Sequence, residues 1–562
     1  MSRAGRGGRA LLPLLAALLT CAAPAVPSTP SAPVDHYRRL QEARALLDQR
    51  RFAAAAPLFR RLSNDDPLDG DLWLGLAQSE DGLDHRKEAI AAYEKALEQG
   101  AGFRPENEYR VAQLHAELGE RDAAFAWVEK ALADRLGDRG RLRDDDAFRA
   151  FRGDERFARL AGLPPARRLS REEGWRFDLG FLAQEVARLH VALGAPAVPP
   201  GWDAALDRLR ADLPRLSDIK VQVEIQRLLV MLGDGHTSLR AEEGGGARLS
   251  RLPIELYQFH DGLFVVGASG DSRPLVGSRV VRFGERGAEE AQQAIAAFIP
   301  HDNPMGVAWR GPAYLTVPAY LQAIGAASSA DAATLTVRDR QGKERTVALR
   351  AGDHPAPWKL RPPGGGPPPL YLQHAGAAYW MQPLPAVHAL YVQYNQVLDG
   401  GAETIAQFAS RLERALRAPG VHNLIVDIRL NNGGNSYLSA PLIEAIAAFE
   451  PLAPGRRLFV LAGRGTFSAG QNFANALERR TQAIFVGEPT GSRPNFVGET
   501  TEVIFPWSGL VASVSNKLHQ GSYPEDRRIW IAPQIPVPLT SADYFANRDP
   551  ALAAVLELIG RK

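Results

Sequence analysis

Residues 362–369 read Pro-Pro-Gly-Gly-Gly-Pro-Pro-Pro. Proline lacks the backbone N–H that a helix or a sheet ladder needs, and consecutive glycines lose the most entropy on ordering, so this stretch can join neither element. It marks a linker over 353–370, and the residues after it, 371–562, must fold as a layer of their own. There the pattern alternates. Residues 390–394 and 424–428 read as buried strands with a helical stretch, 404–416, between them. Residues 457–462 and 483–486 repeat the strand pattern, with helices from about Leu438 and Ala469. Such alternation specifies an α/β layered core. The chain has 562 residues, several times a typical domain of ~150, so the segment before the linker must hold further domains.

That segment changes period twice. Between about 36 and 140 it repeats: Ala89-Ile90-Ala91-Ala92-Tyr93-Glu94-Lys95-Ala96-Leu97 recurs at Ala124 to Leu132, and more faintly at Ala55 to Phe59, at spacings of 34 and 35 residues. Helical stretches rich in small residues stack closely, and each pair buries its apolar face against its neighbours. This resembles the tetratricopeptide repeat, with Trp73, Leu76 and Ala77 fitting its first helix and Ala89, Tyr93 and Ala96 its second. We assign 34–165 to such an all-α array, which implies a protein partner or self-association. Residues 170–240 read as a helical lead-in, with Leu179, Leu182, Val186 and Leu189 at helical spacing and Ser217 as an N-cap. Residues 250–352 are β-rich, and Gly277 to Gly284 resembles the strand and turn of a PDZ-like module.

Residues 1–25 carry Arg3, Arg6 and Arg9, then an apolar run, then Ala23-Pro24-Ala25, the form of a secretory signal. Export to the periplasm or the extracellular space is therefore expected, with lipid anchoring through Cys21 as the lesser option. No later stretch is apolar enough over ~18 residues to span a membrane. Cys21 is the only cysteine, which excludes disulfides, cysteine metal sites and a thiol nucleophile from the rest of the chain. Lys and Arg number 66 against 64 Asp and Glu, so nothing asks for nucleic acid.

Three glycine-punctuated segments have the form needed to bring backbone or a side chain close to a substrate. The first is Leu232-Gly233-Asp234-Gly235-His236-Thr237. The second, Asp427-Ile428-Arg429-Leu430-Asn431-Asn432-Gly433-Gly434-Asn435, sets two glycines after a buried strand, where backbone N–H groups can face a developing oxyanion. The third, Gly465-Thr466-Phe467-Ser468-Ala469-Gly470, puts a serine at a strand-to-helix turn.

In this order, and with Gly487-Glu488-Pro489-Thr490-Gly491 following, the segments resemble the S41 serine peptidases: tail-specific proteases, tricorn core and the retinoid-binding repeats. The resemblance runs from about Arg171 to Lys562. It implies a ClpP/crotonase-like catalytic core over 371–562, with Ser468 as nucleophile. Tail-specific members carry a lysine base about 25 positions beyond the serine, but Arg493 stands there, and guanidinium does not give up its proton. The tricorn-like branch instead implies His236 as base. It also implies backbone N–H groups of Gly434 and Ala469, with Gly433 the near alternative, as the oxyanion hole. A carboxylate about 58 residues past the serine falls at Asp526, with Glu525 next. The serine that precedes the histidine in that branch is Gly235 here.

Asp427 and Arg429 are read as scaffold, and His260-Asp261 and His301-Asp302 as surface turns. Ser217-Asp218-Ile219-Lys220 matches S-x-x-K by chance at a helix start, and zinc-peptidase and P-loop motifs are missing. The expectation is an exported serine peptidase without cofactor or metal, acting on peptides or proteins. The rival is a catalytically silent binder of the same fold that uses the repeats as a docking platform.

Overall fold

A computed structural model describes residues 32–192, 198–245, 248–354 and 360–561. The expected signal at 1–25, Cys21 included, lies outside them. The chain divides into two compact units between Glu120 and Arg121.

The first unit is helical: Ala32–Asp48, Phe52–Asp65, Gly70–Asp81, Arg86–Glu98 and Arg104–Glu117, each packed on the next. Small residues allow the close approach. A Cβ on Gly75 would lie 2.3 Å from the Phe59 ring, and Ala55, Ala77, Ala89 and Ala96 are fully or almost fully buried. The helices that start at Phe52 and Arg86 reproduce the 34-residue period.

The second unit holds three sheets among its described residues. Its strands are β1 (Ser238–Gly244), β2 (Ile254–Phe259), β3 (Gly262–Ala268), β4 (Arg279–Phe283), β5 (Arg286–Gly287), β6 (Ala332–Arg338), β7 (Glu344–Arg350), β8 (Tyr379–Leu384) and β9 (Ala389–Tyr394). They continue with β10 (Asn423–Asp427), β11 (Arg457–Ala462), β12 (Ile484–Gly487), β13 (Asn495–Ile504), β14 (Leu510–Gln520) and β15 (Ile535–Pro536).

The largest layer follows the linker and is ordered β15-β12-β11-β10-β9-β8, with every neighbouring pair parallel except β8 and β9. Parallel strands need cover on both faces, which is why β9 and β10 are buried at every position. Leu390, Val392, Leu424, Val426, Leu458 and Val460 point to one face, against the helices Ile405–Leu416, Ala440–Ala447 and Ala469–Arg480. Tyr391, Ile425, Phe459 and Val486 point to the other, under Pro550–Gly560.

The second sheet, β2-β3-β4-β6-β7, is antiparallel and closes over a core of Leu256, Val265, Val280, Phe283, Leu335 and Val337 with the helices Ala288–Ile295 and Pro318–Ala323. The third, β1-β14-β13, packs on the lead-in helices Arg171–Leu189, Trp202–Asp212 and Asp218–Val230 through Leu179, Leu229, Phe505 and Ala512. Ser217 caps the last of these by accepting the Lys220 N–H, as expected. Residues 361–369 form no helix or strand. Among the described residues no helix is long and apolar enough to cross a membrane.

Candidate active site

The three glycine-punctuated segments meet where the carboxyl ends of β10 and β11 face the turn leading into β1, the edge of a parallel sheet where ligands commonly sit. Ser468 precedes the helix Ala469–Arg480 with φ 55° and ψ −124°, a backbone conformation that side chains other than hydrogen rarely adopt. His236 Nε2 lies 3.0 Å from Ser468 Oγ.

Gly433 makes room for this. A Cβ there would lie 2.7 Å from Ser468 Cβ, and 3.1 Å from both its Oγ and the Ala469 nitrogen. Ala469 opens its helix, so its N–H has no intrahelical acceptor. The neighbouring bridge runs from the Val397 N–H to the Gly433 carbonyl and from the Asn435 N–H to the Val397 carbonyl, both at 2.8 Å. The Gly434 N–H stays outside that bridge. Serine hydroxyl, imidazole and two amides with no hydrogen-bond acceptor among the described residues therefore share one small space, a set that can move a proton and hold an oxyanion.

The histidine turn is held by carboxylates that act on its backbone. Asp234 accepts the N–H groups of His236 at 2.8 Å and Thr237 at 2.7 Å and the Ser515 hydroxyl at 2.8 Å, with His190 Nε2 at 3.1 Å on its other oxygen. Burial pushes the Asp234 pKa up, but bonds from His190, Ser515 and Thr237 outweigh it and hold the group at about 2. Asp302 accepts the Gly235 N–H at 2.8 Å and the Ser492 hydroxyl at 2.6 Å, and burial drives it up to about 6. Arg310 donates to the Gly235 carbonyl at 2.7 Å.

The His236 ring is stacked between Phe467 at 4.5 Å and Phe496 at 5.6 Å. Desolvation by this setting lowers its pKa to about 4, opposed by Asp234 and assisted by the charges of Arg310 and His519. Its Nδ1 is buried and makes no hydrogen bond of normal geometry, although the Val497 backbone favours the protonated ring.

Several expectations need correction. Asp526 does not reach His236: it pairs with Arg528 at 2.8 Å, which also holds Glu478, and Glu525 is exposed beside it. The physical reason is local, since Arg528 two residues on offers a bidentate partner that a neutral imidazole cannot match. Asp526→Asn should cost at most about 1 kcal/mol of stability and leave the His236–Ser468 contact in place, read by denaturant unfolding. Asp302 is no surface residue; it is 3% exposed and braces the histidine turn. His301 donates through Nδ1 to the Ile299 carbonyl at 2.6 Å, while His260 and Asp261 are at the surface. Gly235 cannot be replaced by the tricorn-like serine without movement, because its Cβ would lie 2.7 Å from the Phe467 ring.

Arg493 donates to the Asp302 carbonyl at 2.8 Å and is a bracing residue. Asp427 is fully buried against Arg429, which also pairs with Asp549 at 2.7 Å. Glu488 of the Gly487–Gly491 segment holds Arg464 at 2.9 Å, and the Gly491 N–H bonds the Thr466 carbonyl at 2.9 Å, so this segment props the serine loop.

Sequence reasoning gave no role to Asp234, Arg310, Phe467 or Phe496. Only Asp234 carried a local signal, since an Asp two residues before a histidine is spaced to accept the following amides. Among the described residues no group of three or more His, Cys, Asp or Glu could hold a metal ion.

No family model matches the sequence, and no curated protein matches it. Solved structures that resemble the chain include mature CPAF, with a TM-score of 0.48 and 14% identity over 69% of this chain and 97% of that one. The photosystem II D1 C-terminal processing protease gives 0.33 and 14% over 70% and 98%. The tricorn protease gives 0.33 and 14% over 70% and 37%.

Proposed function

We propose that the chain is a serine peptidase of the S41 type, cleaving peptide bonds through an acyl-enzyme on Ser468. The observation that carries this is the 3.0 Å approach of His236 Nε2 to a serine held at positive φ on a helix start. In this reading the Ser468 proton passes to Nε2 as Oγ bonds to the substrate carbonyl carbon. The carbonyl oxygen becomes an oxyanion, taken by the N–H groups of Gly434 and Ala469, with Gly433 the near alternative. The imidazolium then gives its proton to the leaving amine, and a water repeats the cycle to release the acid.

Nε2 must be free to accept, so the proton of neutral His236 sits on Nδ1, toward the Val497 backbone rather than a carboxylate. Asp234 and Asp302 position the ring through the turn that carries it. No cofactor is called for. We read β2 to β7 as a PDZ-like module, residues 34–165 as tetratricopeptide-like repeats for a protein partner or self-association, and the expected leader as an export signal.

Labelling of the full chain by a fluorophosphonate tests the reading. Labelling in the wild type that is lost in both Ser468→Ala and His236→Ala supports it. A folded wild type that does not label and cleaves no peptide would favour the silent binder.

The pH profile is a second check. Burial disfavours the charged ring, so His236 stays neutral and able to accept a proton down to about pH 4. The acid limb of kcat/KM should therefore have its midpoint near 4 rather than near the usual ~6.5. A midpoint at 6.5 or above would contradict the buried setting.

A further inference from the structure

Beside His236 opens a groove of about 530 Å³ whose lining holds three arginines and four aromatic rings and, among the described residues, no carboxylate. Two of the arginines are engaged elsewhere: Arg240 pairs with Glu502, and Arg251 donates to the Ala313 carbonyl at 3.1 Å. Arg310 differs. Its guanidinium lies 4.5 Å from the Phe467 ring centre and 4.9 Å from that of Trp309. One terminal nitrogen donates to the carbonyls of Gly235 and Pro300, both at 2.7 Å. No Asp or Glu forms an ion pair with it among the described residues. Asp302 and Asp234 act on it only at longer range, each committed to other donors. Two carbonyl oxygens do not neutralise a largely desolvated cation, and a guanidinium fork is built to take a carboxylate.

We propose that Arg310 receives an acidic side chain of the substrate, Glu or Asp, close to the bond that is cut, and so sets specificity. This rests on the peptidase reading above. It also couples binding to chemistry. The positive charge of Arg310 opposes protonation of His236. A substrate carboxylate on Arg310 cancels that charge, so the imidazolium that forms as Ser468 attacks is opposed less. The preference then shows in kcat as well as in KM, because the contact is worth more in the transition state than in the ground state.

The test uses matched fluorogenic peptides with Glu or Gln at successive positions on both sides of the scissile bond, each with a free or an amidated C-terminus. At one position Glu should exceed Gln by about tenfold or more in kcat/KM, part of it in kcat. In Arg310→Gln the ratio should fall to about one, and Arg310→Lys should keep part of it. Arg310→Gln also removes a donor from Gly235 and Pro300, so its absolute rates will drop and the ratio is the readout.

Calorimetric binding of the same peptides to Ser468→Ala gives the discrimination without turnover, and serves if Arg310→Gln folds poorly. Equal rates and affinities at every position overturn the proposal, as does a ratio that survives Arg310→Gln. A preference that follows the free C-terminus instead of the side chain also overturns it. Fluorophosphonate labelling with equal Glu and Gln rates defeats this proposal alone; no labelling and no hydrolysis defeats the peptidase reading and the proposal with it.

Discussion

Ser468→Ala is expected to lower kcat by about 10⁶-fold, since removing the attacking oxygen leaves only substrate binding and the oxyanion donors to act. Ser468→Gly should lose the same activity and yet unfold at higher denaturant than Ser468→Ala. The reason is the backbone at this position, φ 55° and ψ −124°, which serine and alanine both hold under strain and glycine adopts freely. Such a conformation costs roughly 1–3 kcal/mol in a residue with a Cβ. Glycine gives back about 0.4–1 kcal/mol through the greater freedom of its unfolded chain. A net gain of about 1 kcal/mol is expected, read as a shift in denaturant midpoint at constant slope. Turnover in Ser468→Ala within a hundredfold of wild type would remove Ser468 from its assigned role. A glycine variant less stable than the alanine variant would show that the turn is not strained. Together the two outcomes say that stability is given up at the point where the hydroxyl must project from the helix start toward His236.

The core sheet was legible because parallel strands buried on both faces leave continuous apolar runs. Residues 424–428 and 457–462 could hardly be anything else, and the proline-glycine run ahead of them marks where they begin. That Ser468 and His236 would come together was legible through the glycines around them, which let backbone approach backbone. What supports His236 was not. Asp302 lies 66 positions away in sequence, next to a histidine, and nothing local distinguishes a buried brace from a surface turn. The Phe467 and Phe496 rings look like ordinary core residues until the fold lays them on the two faces of one imidazole. Counting forward to Asp526 failed for a similar reason. A fixed offset assumes that the intervening strands keep their geometry, whereas Arg528 takes the carboxylate first. The β13–β14 hairpin, which supplies Phe496, Val497 and Ser515 to the histidine side of the site, was also unread, since its mixed Thr, Glu and Ser positions dilute the strand signal.

Gly434→Ala is the second large effect expected. A Cβ at Gly434 would lie 2.1 Å from the Val397 carbonyl oxygen, and the residue sits at φ 134°. Neither partner can step aside cheaply, because Val397 is tied on both sides of the glycine, through the Gly433 carbonyl and the Asn435 N–H at 2.8 Å each. The added methyl must therefore break the bridge and carry the Gly434 N–H away from Ser468. In the proposed mechanism that amide matters only once the carbonyl oxygen has become an oxyanion. The loss should accordingly fall on kcat, by about 10²–10³-fold, with KM little changed. The neighbouring Gly433→Ala meets a different obstacle, Ser468 itself at 2.7 Å, and should slow fluorophosphonate labelling by displacing the hydroxyl. Steady-state kinetics of Gly434→Ala beside labelling rates of both variants separates the two. Unchanged kcat in Gly434→Ala would mean that the oxyanion is held by Ala469 and some other donor. A matching rise in KM would mean that the glycine loop binds the substrate in its ground state.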